Sequence, residues 1–520
     1  MNKQLLLSYL IAGILTPYSI NAQPENCKKA NSCDCDNTGK SYFSVRPQFQ
    51  SASPELISAF REDRLHARKE GKGGALEAVV FGGKSTNNNN LARYFTPFCK
   101  TTLTVNEEVD PTIQSDLQAQ HFNIVTVDGN FSSTLSFKPK QSVAALGLYY
   151  RQSFWCNPET NRDWFFSISS PITHIKNEFN LVEKVINNGG GANENADKNV
   201  VANMTQAFAQ KEWKYGRITC PQTETRLADI ETKLGMEWIN NETHHLESYM
   251  GVLIPTGNRP NGENIFQPIV GNGKHAGIMC GGAGNFELWH NKDNNRQIKI
   301  ECATHSLYLF NARQVRSLDL KNKPFSRYME VYANKEQAAQ AAATTDPLLA
   351  ENMATPGINI FTLPVKVSAG FQYNVTTALT FTCNKCFQAE GGFNFFARQA
   401  ECVKLACPWQ PGPALKSILG KGETNPARDI TGNVFLNSIN IQQTDFADYD
   451  NNLIKEHDLD LNSAAHPAGL SYTFYGSVGY RCDEREYPLF AHIGGSYEFA
   501  NESNATLDRW TLWAKTGISF

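Results

Sequence analysis

The chain has 520 residues, with 48 basic and 51 acidic side chains and a formal net charge of −3. It contains no basic run and no Gly-rich phosphate loop after a strand, and this excludes the usual sequence features of nucleic-acid and nucleotide binding. The mean hydropathy is −0.41. Beyond the N-terminus, no apolar run approaches the roughly 20 residues that a transmembrane helix needs, so a helical membrane bundle is excluded.

Residues 1–22 have the features of a secretory signal peptide. Lys3 supplies a positive charge, an apolar run extends from Leu5 to Leu15, and small residues lead up to Ala22. The apolar run is shorter than the roughly 20 residues needed to cross a bilayer. We therefore predict cleavage after Ala22 and a mature chain that functions outside the cytoplasm.

The next segments combine a Cys-rich stretch with two elements. Residues 23–40 are polar and Cys-rich and are predicted to form a periplasmic N-terminal segment, and Tyr42–Phe49 is a candidate strand. Ser53 is a suitable helix N-cap and Pro54 suits the first turn, so a helix is expected from here to about Arg68. This helix has two plausible placements, inside a barrel lumen as a plug or in a surface loop.

Residues 73–83 are a predicted strand, and further along the chain a period-two alternation of apolar and polar side chains recurs. Between Ala228 and Trp238 one face carries apolar residues and the other carries charged ones. Similar two-faced segments follow at residues 245–254, 298–305, 365–374, 472–480, 489–499 and 510–520.

Strand length and aromatic placement decide between a soluble sandwich and a membrane barrel. Several segments reach ten residues or more, whereas soluble strands average about 5–6 residues and tilted membrane strands need about 9–11. Aromatic residues such as Trp238, Tyr480 and Phe499 stand at the ends of the apolar stripes. This is typical of the aromatic girdles at lipid–water interfaces.

The connections between strands are of two kinds. Long polar connections are expected at residues 87–119, 176–215, 334–356, 408–432 and 443–469, the third of which contains an Ala-rich helix. Barrels in outer membranes have short periplasmic turns and long outer loops. We therefore predict an all-β fold: one antiparallel up-and-down transmembrane β-barrel over residues 41–520, with about 14 strands and a range of 12–16.

The final strand alternates as well and ends on an aromatic carboxyl terminus. Trp510, Ile518 and Phe520 lie on its apolar face. This ending resembles the C-terminal signature of Gram-negative outer-membrane β-barrels. The resemblance implies location in the bacterial outer membrane, contact with its lipid and recognition by the barrel assembly machinery. Trp510 and Phe520 are expected at opposite membrane interfaces.

The polar faces supply the candidate pore-lining residues. They are Asp229, Glu231, Lys233, Glu237, Glu247, Lys299, Glu301, Lys366, Gln372, Glu498 and Lys515. Their charges are mixed, so strong ion selectivity is not expected, since that needs a ring of one sign. We predict a porin-like channel for diffusion of small hydrophilic solutes. Two alternatives stay open: a structural or adhesive surface barrel cross-linked by disulfides, and a specific uptake channel plugged by residues 53–68.

Thirteen cysteines are unusual for such a barrel, and the odd count leaves at least one thiol unpaired or paired with another chain. Cys383, Cys386, Cys402 and Cys407 are disulfide candidates, because export favours disulfides over a zinc ribbon. The sums 383+407 and 386+402 nearly match, as the residue numbers of antiparallel cross-strand partners should. The high Cys content resembles the major porins of chlamydia-like bacteria. That resemblance implies disulfide-linked oligomers; a trimer, common among porins, is the other candidate.

Catalysis and cofactor binding have little support in the sequence. His244, His245, His275, His290 and His305 occur without a recognisable nucleophile motif. His245 and His305 fall on polar strand faces, where a lumen position is the simpler interpretation. We therefore expect a protein that is not an enzyme and binds no cofactor or metal.

Overall fold

The alternating segments form a closed barrel. The structure, a computed structural model, describes residues 39–59, 73–107, 115–157, 162–194, 199–241, 243–291, 295–343, 353–384, 386–416, 453–482, 486–500 and 505–520. The barrel strands are β1 (Gly74–Ser85), β2 (Lys140–Asn157), β3 (Arg162–Glu178), β4 (Ile230–Asn240), β5 (His244–Ile254), β6 (Gly277–Asn291), β7 (Arg296–Leu309), β8 (Gly370–Cys383), β9 (Phe387–Arg398), β10 (Gly469–Cys482), β11 (Leu489–Ala500) and β12 (Arg509–Ser519).

Each barrel strand pairs antiparallel with its neighbour in the chain, and β12 pairs with β1 to close the ring. The closure runs from Ala75 opposite Ser519 to Ser85 opposite Arg509. Gly74 and Phe520 add reciprocal backbone hydrogen bonds of 2.7 and 3.0 Å. An up-and-down antiparallel barrel is therefore confirmed, and twelve strands is the lower limit of the predicted range. One further strand, Gln222–Leu227, pairs with β3 outside the ring.

The two faces of the barrel wall differ in polarity. On β12, Thr511, Trp513 and Lys515 point inward and are buried, whereas Trp510 and Leu512 point outward and are 39% and 59% exposed. Outward apolar side chains are exposed around the wall, including Val80, Leu148, Ile172, Leu234, Met250, Ile278, Leu379, Phe474 and Ile493. Apolar outside and polar inside is the arrangement of a barrel in lipid.

The two ends of the barrel differ in connection length. At one end the β4–β5 turn (residues 241–243) and the β10–β11 turn (residues 483–488) span three and six residues. At the other end residues 86–139, 310–369 and 399–468 form long excursions. Short turns are periplasmic and long loops are external in such barrels, so the long connections lie at the outer end.

The described parts of the long connections fold together into what we call the cap, the packed structure at the outer end. One four-stranded sheet contains Thr102–Asn106, Leu117–Gln118, Ser132–Phe137 and Leu181–Asn187. Smaller sheets contain Ala312–Ser317, Thr362–Ser368 and Cys402–Leu405; Glu330–Tyr332, Thr355–Pro356 and Ala414–Leu415; and Asp319–Leu320 with Leu459–Asp460.

The helices of the described residues are short and, apart from the first, lie in the cap. They are α1 (Pro54–Ile57), α2 (Asn88–Phe95), α3 (Met204–Ala207), α4 (Lys335–Ala343) and α5 (Gly357–Phe361), with 3-10 turns at Pro97–Cys99, Ala119–Phe122, Ser326–Tyr328, Glu456–Asp458 and Leu461–Ala464. Among the residues described, no helix has both the length and the apolar character required to cross a membrane.

The cap has its own apolar core, rich in aromatic rings. Phe122, Phe208 and Trp213 are buried in it, and Trp213 stacks on Tyr328 with ring centroids 4.8 Å apart. Aromatic side chains bury large areas, so these connections are held in place by a core of their own. Residues 87–119 and 176–215 lie in long connections as predicted, but their described parts are not polar throughout, because they contribute buried apolar side chains to this core.

Several local predictions have mixed outcomes. The predicted strand over Tyr42–Phe49 is wrong, because this stretch is irregular backbone. The helix does begin at Pro54, but it ends at Ile57, where Ser58 turns to an extended conformation with ψ 137°. Residues 60–68 lie outside the described residues.

The Ala-rich helix is confirmed over Lys335–Ala343. The predicted signal peptide, and residues 23–38 of the predicted Cys-rich segment, also lie outside the described residues.

Candidate functional site, a plugged polar lumen

The lumen contains a segment of the chain itself. Residues 39–59, here called the plug, begin in the cap, where Phe43 joins the aromatic core, and continue into the barrel. Arg46 is 7% exposed and pairs with Glu498 on β11, with Nη1 3.4 Å from Oε1. Its Nη2 also donates to Asn374 Oδ1 on β8 at 3.2 Å. The upper part of the plug is thus tied to two separate barrel strands.

The middle of the plug makes a tight turn that is held by wall side chains bonded to the plug backbone. Phe49 and Ala52 have positive φ values of 62° and 65°, a conformation that costs non-glycine residues energy and persists only where surrounding contacts enforce it. Thr376 Oγ1 donates to the carbonyl of Ala52 at 2.6 Å, and Asn394 Nδ2 donates to the same oxygen at 3.1 Å. The wall therefore holds the plug in a backbone conformation that it would not favour alone.

The lower part of the plug reaches strands on other sides of the ring. The backbone N–H of Ser51 donates to Glu231 Oε2 on β4 at 3.2 Å. Lys515 Nζ on β12 donates to the carbonyl of Ser58 at 2.9 Å, and the N–H of Ala59 donates to Glu390 Oε2 on β9 at 3.2 Å. The plug is therefore bonded to β4, β8, β9, β11 and β12.

The outer end of the plug is joined to the cap by a buried network of Tyr42, Arg316, Glu401 and His466, here called the cap latch. The Arg316 guanidinium lies 3.5 Å above the ring of Tyr42. Arg316 Nη2 donates to Glu401 Oε1 at 3.3 Å, and the N–H of His466 donates to Glu401 Oε2 at 3.0 Å.

Two groups of the cap latch have strongly shifted pKa values. Burial alone would raise the pKa of Glu401, but the positive charge and hydrogen bonds of Arg316 outweigh it and hold the pKa at about 2. Burial, together with the nearby Arg398 charge, lowers the pKa of His466 to about 3. At neutral pH this geometry favours an ionised Glu401 and an uncharged His466.

Most of the candidate lumen residues do face inward. Those that are buried on barrel strands, or directly before β4, are Asp229, Glu231, Lys233, Glu237, Glu247, Lys299, Gln372, Glu498 and Lys515. Glu301 is half-buried and lines the internal cavity. Their inward placement follows from the period-two alternation of a strand.

The predicted lumen position of Lys366 is wrong. It lies on the cap strand Thr362–Ser368, exposed to solvent, while its neighbours Val365 and Val367 pack into a small apolar cluster. The pattern over residues 365–374 reads as one strand in the sequence. In the structure Gly370 has φ +70° and starts a separate strand. The left-handed conformation, which glycine adopts readily, redirects the chain from the cap into β8.

Charges in the lumen are paired, as buried charges must be to avoid a large desolvation cost. Arg151 on β2 is 1% exposed and bridges two carboxylates, with Nη2 2.6 Å from Glu237 Oε1 and Nη1 2.8 Å from Glu247 Oε2. Lys515 Nζ lies 2.8 Å from Glu77 Oε2. Arg151 and Glu77 are not among the predicted lumen residues, although both alternate with outward apolar neighbours on their strands and could have been found by that signal.

A cavity of about 110 Å³ lies between the plug and the wall. Ser51 and Leu56 of the plug and Lys233, His245 and Glu301 of the wall are among its lining residues. Because a single buried water needs only roughly 10–15 Å³ by this kind of measure, the cavity has room for several waters or a small solute. Among the described residues, Glu237, His245 and Glu247 form a group of side chains that could hold a metal ion.

No protein-family model and no curated protein sequence matches the chain. Solved structures of distant barrels do. An outer-membrane channel from Pseudomonas putida F1 matches with a TM-score of 0.36 and 8% identity over 92% of this chain and 100% of that one. A FadL homologue from Pseudomonas aeruginosa gives 0.29 and 8% over 93% and 98%. The TodX monoaromatic hydrocarbon channel deltaS2 mutant gives 0.32 and 8% over 94% and 98%.

The chain is an outer-membrane β-barrel. Its own closed ring, outward apolar band and unequal ends carry that conclusion. Likenesses at this identity and TM-score transfer no residue role and no solute to this chain.

The predicted disulfide pairs are corrected. Cys383, Cys386 and Cys407 are free thiols, and Cys402 is disulfide-bonded but to none of these three. The β8–β9 hairpin turns at residues 384–386, so Cys383 faces Phe387 and Gln372 faces Arg398. Cys383 and Cys386 therefore lie at the periplasmic end, while Cys402 and Cys407 lie in the cap. Pairing by the near-equal sums 383+407 and 386+402 would require a hairpin turn about ten residues further along the chain than the observed one.

The end of the chain closes the barrel. Trp510 lies near the outer rim of β12 and Phe520 at the periplasmic rim, where its ring stacks near Tyr150 with centroids 6.5 Å apart. Trp510 and Phe520 are partly exposed on the outward face, and Ile518 shares that face. The role of Trp510, Ile518 and Phe520 as an assembly signal stays a prediction.

Proposed function

We propose that this protein is an outer-membrane uptake channel held closed by its own plug, which admits small hydrophilic solutes when the plug moves. The observation that carries the proposal is that the plug fills the lumen from Arg46 to Ala59 and is bonded to five barrel strands. It favours the plugged channel over the freely open porin that the sequence suggests first.

The polarity of the lumen supports a hydrophilic solute. The wall around the plug presents paired carboxylates and basic groups rather than an apolar lining, as at Glu77, Arg151 and Lys515. Polar and charged linings select for solutes that can exchange hydrogen bonds with them. The cavity of about 110 Å³ beside the plug offers such a solute polar wall groups, among them Lys233, His245 and Glu301.

The contacts of the plug suggest how it is released. Most are single hydrogen bonds to backbone groups of the plug, and each contributes about 0.5–1.5 kcal/mol between neutral partners or about 1.5–3 kcal/mol where a charged group takes part, as with Glu231, Glu390 and Lys515. The buried Arg46–Glu498 pair is the main charged contact at the upper end. Competition for a few wall groups by a solute would therefore loosen the plug without unfolding the barrel.

Planar-bilayer recordings test the proposal. The purified full chain should give few conductance steps, and a variant lacking residues 46–59, the part of the plug inside the barrel, should give frequent, larger steps and should admit small neutral sugars into liposomes. Lys404→Ala, an exposed cap position, is the matched control and should behave like the full chain. Heat-modifiable gel migration confirms that each variant is a folded barrel.

A structural or adhesive barrel is the second candidate, favoured by the extensive apolar core of the cap. In that case the cap would stay closed whatever the plug does. A folded plug-deletion variant that conducts no ions and admits no sugar would contradict the channel and support this candidate.

A further inference from the structure

We propose that Glu237, His245 and Glu247 form a binding site for one divalent transition-metal ion on the inner wall of β4 and β5, with Zn²⁺ as the probe. The proposal concerns equilibrium binding, so it stands or falls independently of whether the barrel conducts solutes.

Strand pairing brings the three side chains together. Glu237 on β4 is the direct partner of Glu247 on β5. His245 precedes Glu247 by two residues and therefore points to the same face. One ligand atom from each of the three lies within 4.8 Å of the others. In a tetrahedral zinc site such atoms are roughly 3.4 Å apart at the usual metal–ligand distances, so small side-chain rotations would complete the site.

The imidazole of His245 is an independent sign of a ligand. It is 4% exposed; among the described residues Nδ1 has no hydrogen-bond partner, and Nε2 has only a long contact to Glu247 that lacks hydrogen-bond geometry. Its Nε2 lies 3.4 Å from Glu247 Oε2 and faces the carboxylates. Buried polar groups are almost always bonded, and a metal ion on Nε2 would satisfy this one.

The local charge suits a dication. Glu237 and Glu247 contribute two negative charges, and Arg151, which bridges them at 2.6 and 2.8 Å, contributes one positive charge. The group therefore has one net negative charge before an ion binds. Arg151 stacks on Phe165, with its guanidinium 3.4 Å from the ring centroid. It would act as an outer-sphere partner that orients both carboxylates, as is usual around protein metal sites.

The remaining coordination positions face open space. His245 and Glu247 line the internal cavity together with Asn285 and Glu301. One imidazole and two carboxylates suit Zn²⁺ and its neighbours in the first transition row. Three protein ligands leave at least one position, which water in the cavity can fill.

Isothermal titration calorimetry of the folded, detergent-solubilised full chain tests the site after chelator treatment. The free thiols are first blocked by alkylation, because Cys220, Cys280 and Cys407 are exposed and would bind Zn²⁺ themselves. We expect one Zn²⁺ per chain and, for His245→Gln, a loss of affinity on the order of 100-fold, at least as large as that seen when an outer-sphere partner is removed. His492→Gln is the matched control, another buried lumen histidine on β11, and should bind like the parent.

Ligand identity supplies the second readout. X-ray absorption of the zinc-loaded, thiol-blocked protein should show nitrogen and oxygen ligands only, and Glu247→Gln should weaken binding as His245→Gln does. The proposal is overturned if the blocked parent binds no Zn²⁺, or if it binds equally well with and without His245.

Discussion

The lumen and the cap bury opposite kinds of side chain within one chain. In the lumen the fully buried residues include Arg151 and Lys515, each paired with carboxylates of the wall. In the cap they include Phe122, Phe208 and Trp213, packed against one another. The barrel wall can place its apolar side chains against lipid, whereas the cap, beyond the membrane, must bury them internally as a soluble domain does.

This difference indicates how each region keeps its shape. The cap is stabilised mainly by apolar area and aromatic packing, which tolerate changes of charge at the surface. The stability of the lumen depends on the pairing of its buried charges, because an unpaired buried charge carries a large desolvation cost. The cap latch stands between the two, since it is a charged network inside an otherwise apolar region.

Lowering the pH should destabilise the cap more than the barrel, and we expect this to be the largest effect. The pKa of His466 is about 3 instead of 6.5, and that of Glu401 is about 2 instead of 4.5. Both groups bind protons more readily in the unfolded cap. Stability is therefore lost as pH falls, first below about 6.5 through His466 and then below about 4.5 through Glu401.

Near-ultraviolet circular dichroism and protease sensitivity of the cap, followed from pH 7 to 2, measure this loss. Heat-modifiable migration reports the barrel in parallel. His466→Gln should remove the upper part of the pH dependence. A cap that stays equally resistant throughout this range would contradict the assigned role of the cap latch.

Truncation in the cap core should have the next largest effect. Trp213 is 2% exposed and stacks on Tyr328, so Trp213→Ala should cost about 3–5 kcal/mol through lost burial and a cavity. Limited proteolysis should then cut the cap while the barrel strands stay protected. Equal destabilisation of cap and barrel would show that they do not unfold as separate units.

A charge on the lipid face should be less costly but should act on the barrel. Leu512 is 59% exposed on β12, between Trp510 near the outer rim and the centre of the strand, and Leu512→Lys should cost about 2 kcal/mol in a lipid bilayer. Tyr480→Lys, near the periplasmic rim of β10, is the depth control and should cost about 0–1 kcal/mol. Urea unfolding in liposomes measures both. Equal costs at the two depths would argue against the membrane placement.

Lys366 should matter least. The structure places this side chain in solvent on the cap rather than in the lumen, so Lys366→Ala should change stability by less than about 0.5 kcal/mol. Conductance of the plug-deletion variant should be unaffected by the same substitution. A change in single-channel conductance would return Lys366 to the lumen.

Prediction from sequence succeeded where the signal is local. The alternation from Ala228 to Trp238 and from Trp510 to Phe520 gave the strands, their inward charges and the class of fold, because side-chain direction in a strand depends only on residue parity. It failed at Lys366, where Gly370 divides one apparent strand between two regions. It also failed for the cysteines, because parity does not locate a hairpin turn.

By itself, the sequence determined a two-faced barrel wall and therefore the membrane as its surroundings. Only the tertiary structure decided that the lumen is filled and the outer end is capped. Arg46 meets Glu498 across 452 positions of chain, and Phe43 meets Phe266 in the cap core. Such contacts follow from closure of the ring and packing of separate loops, and no periodic pattern in the chain encodes which distant residues will meet.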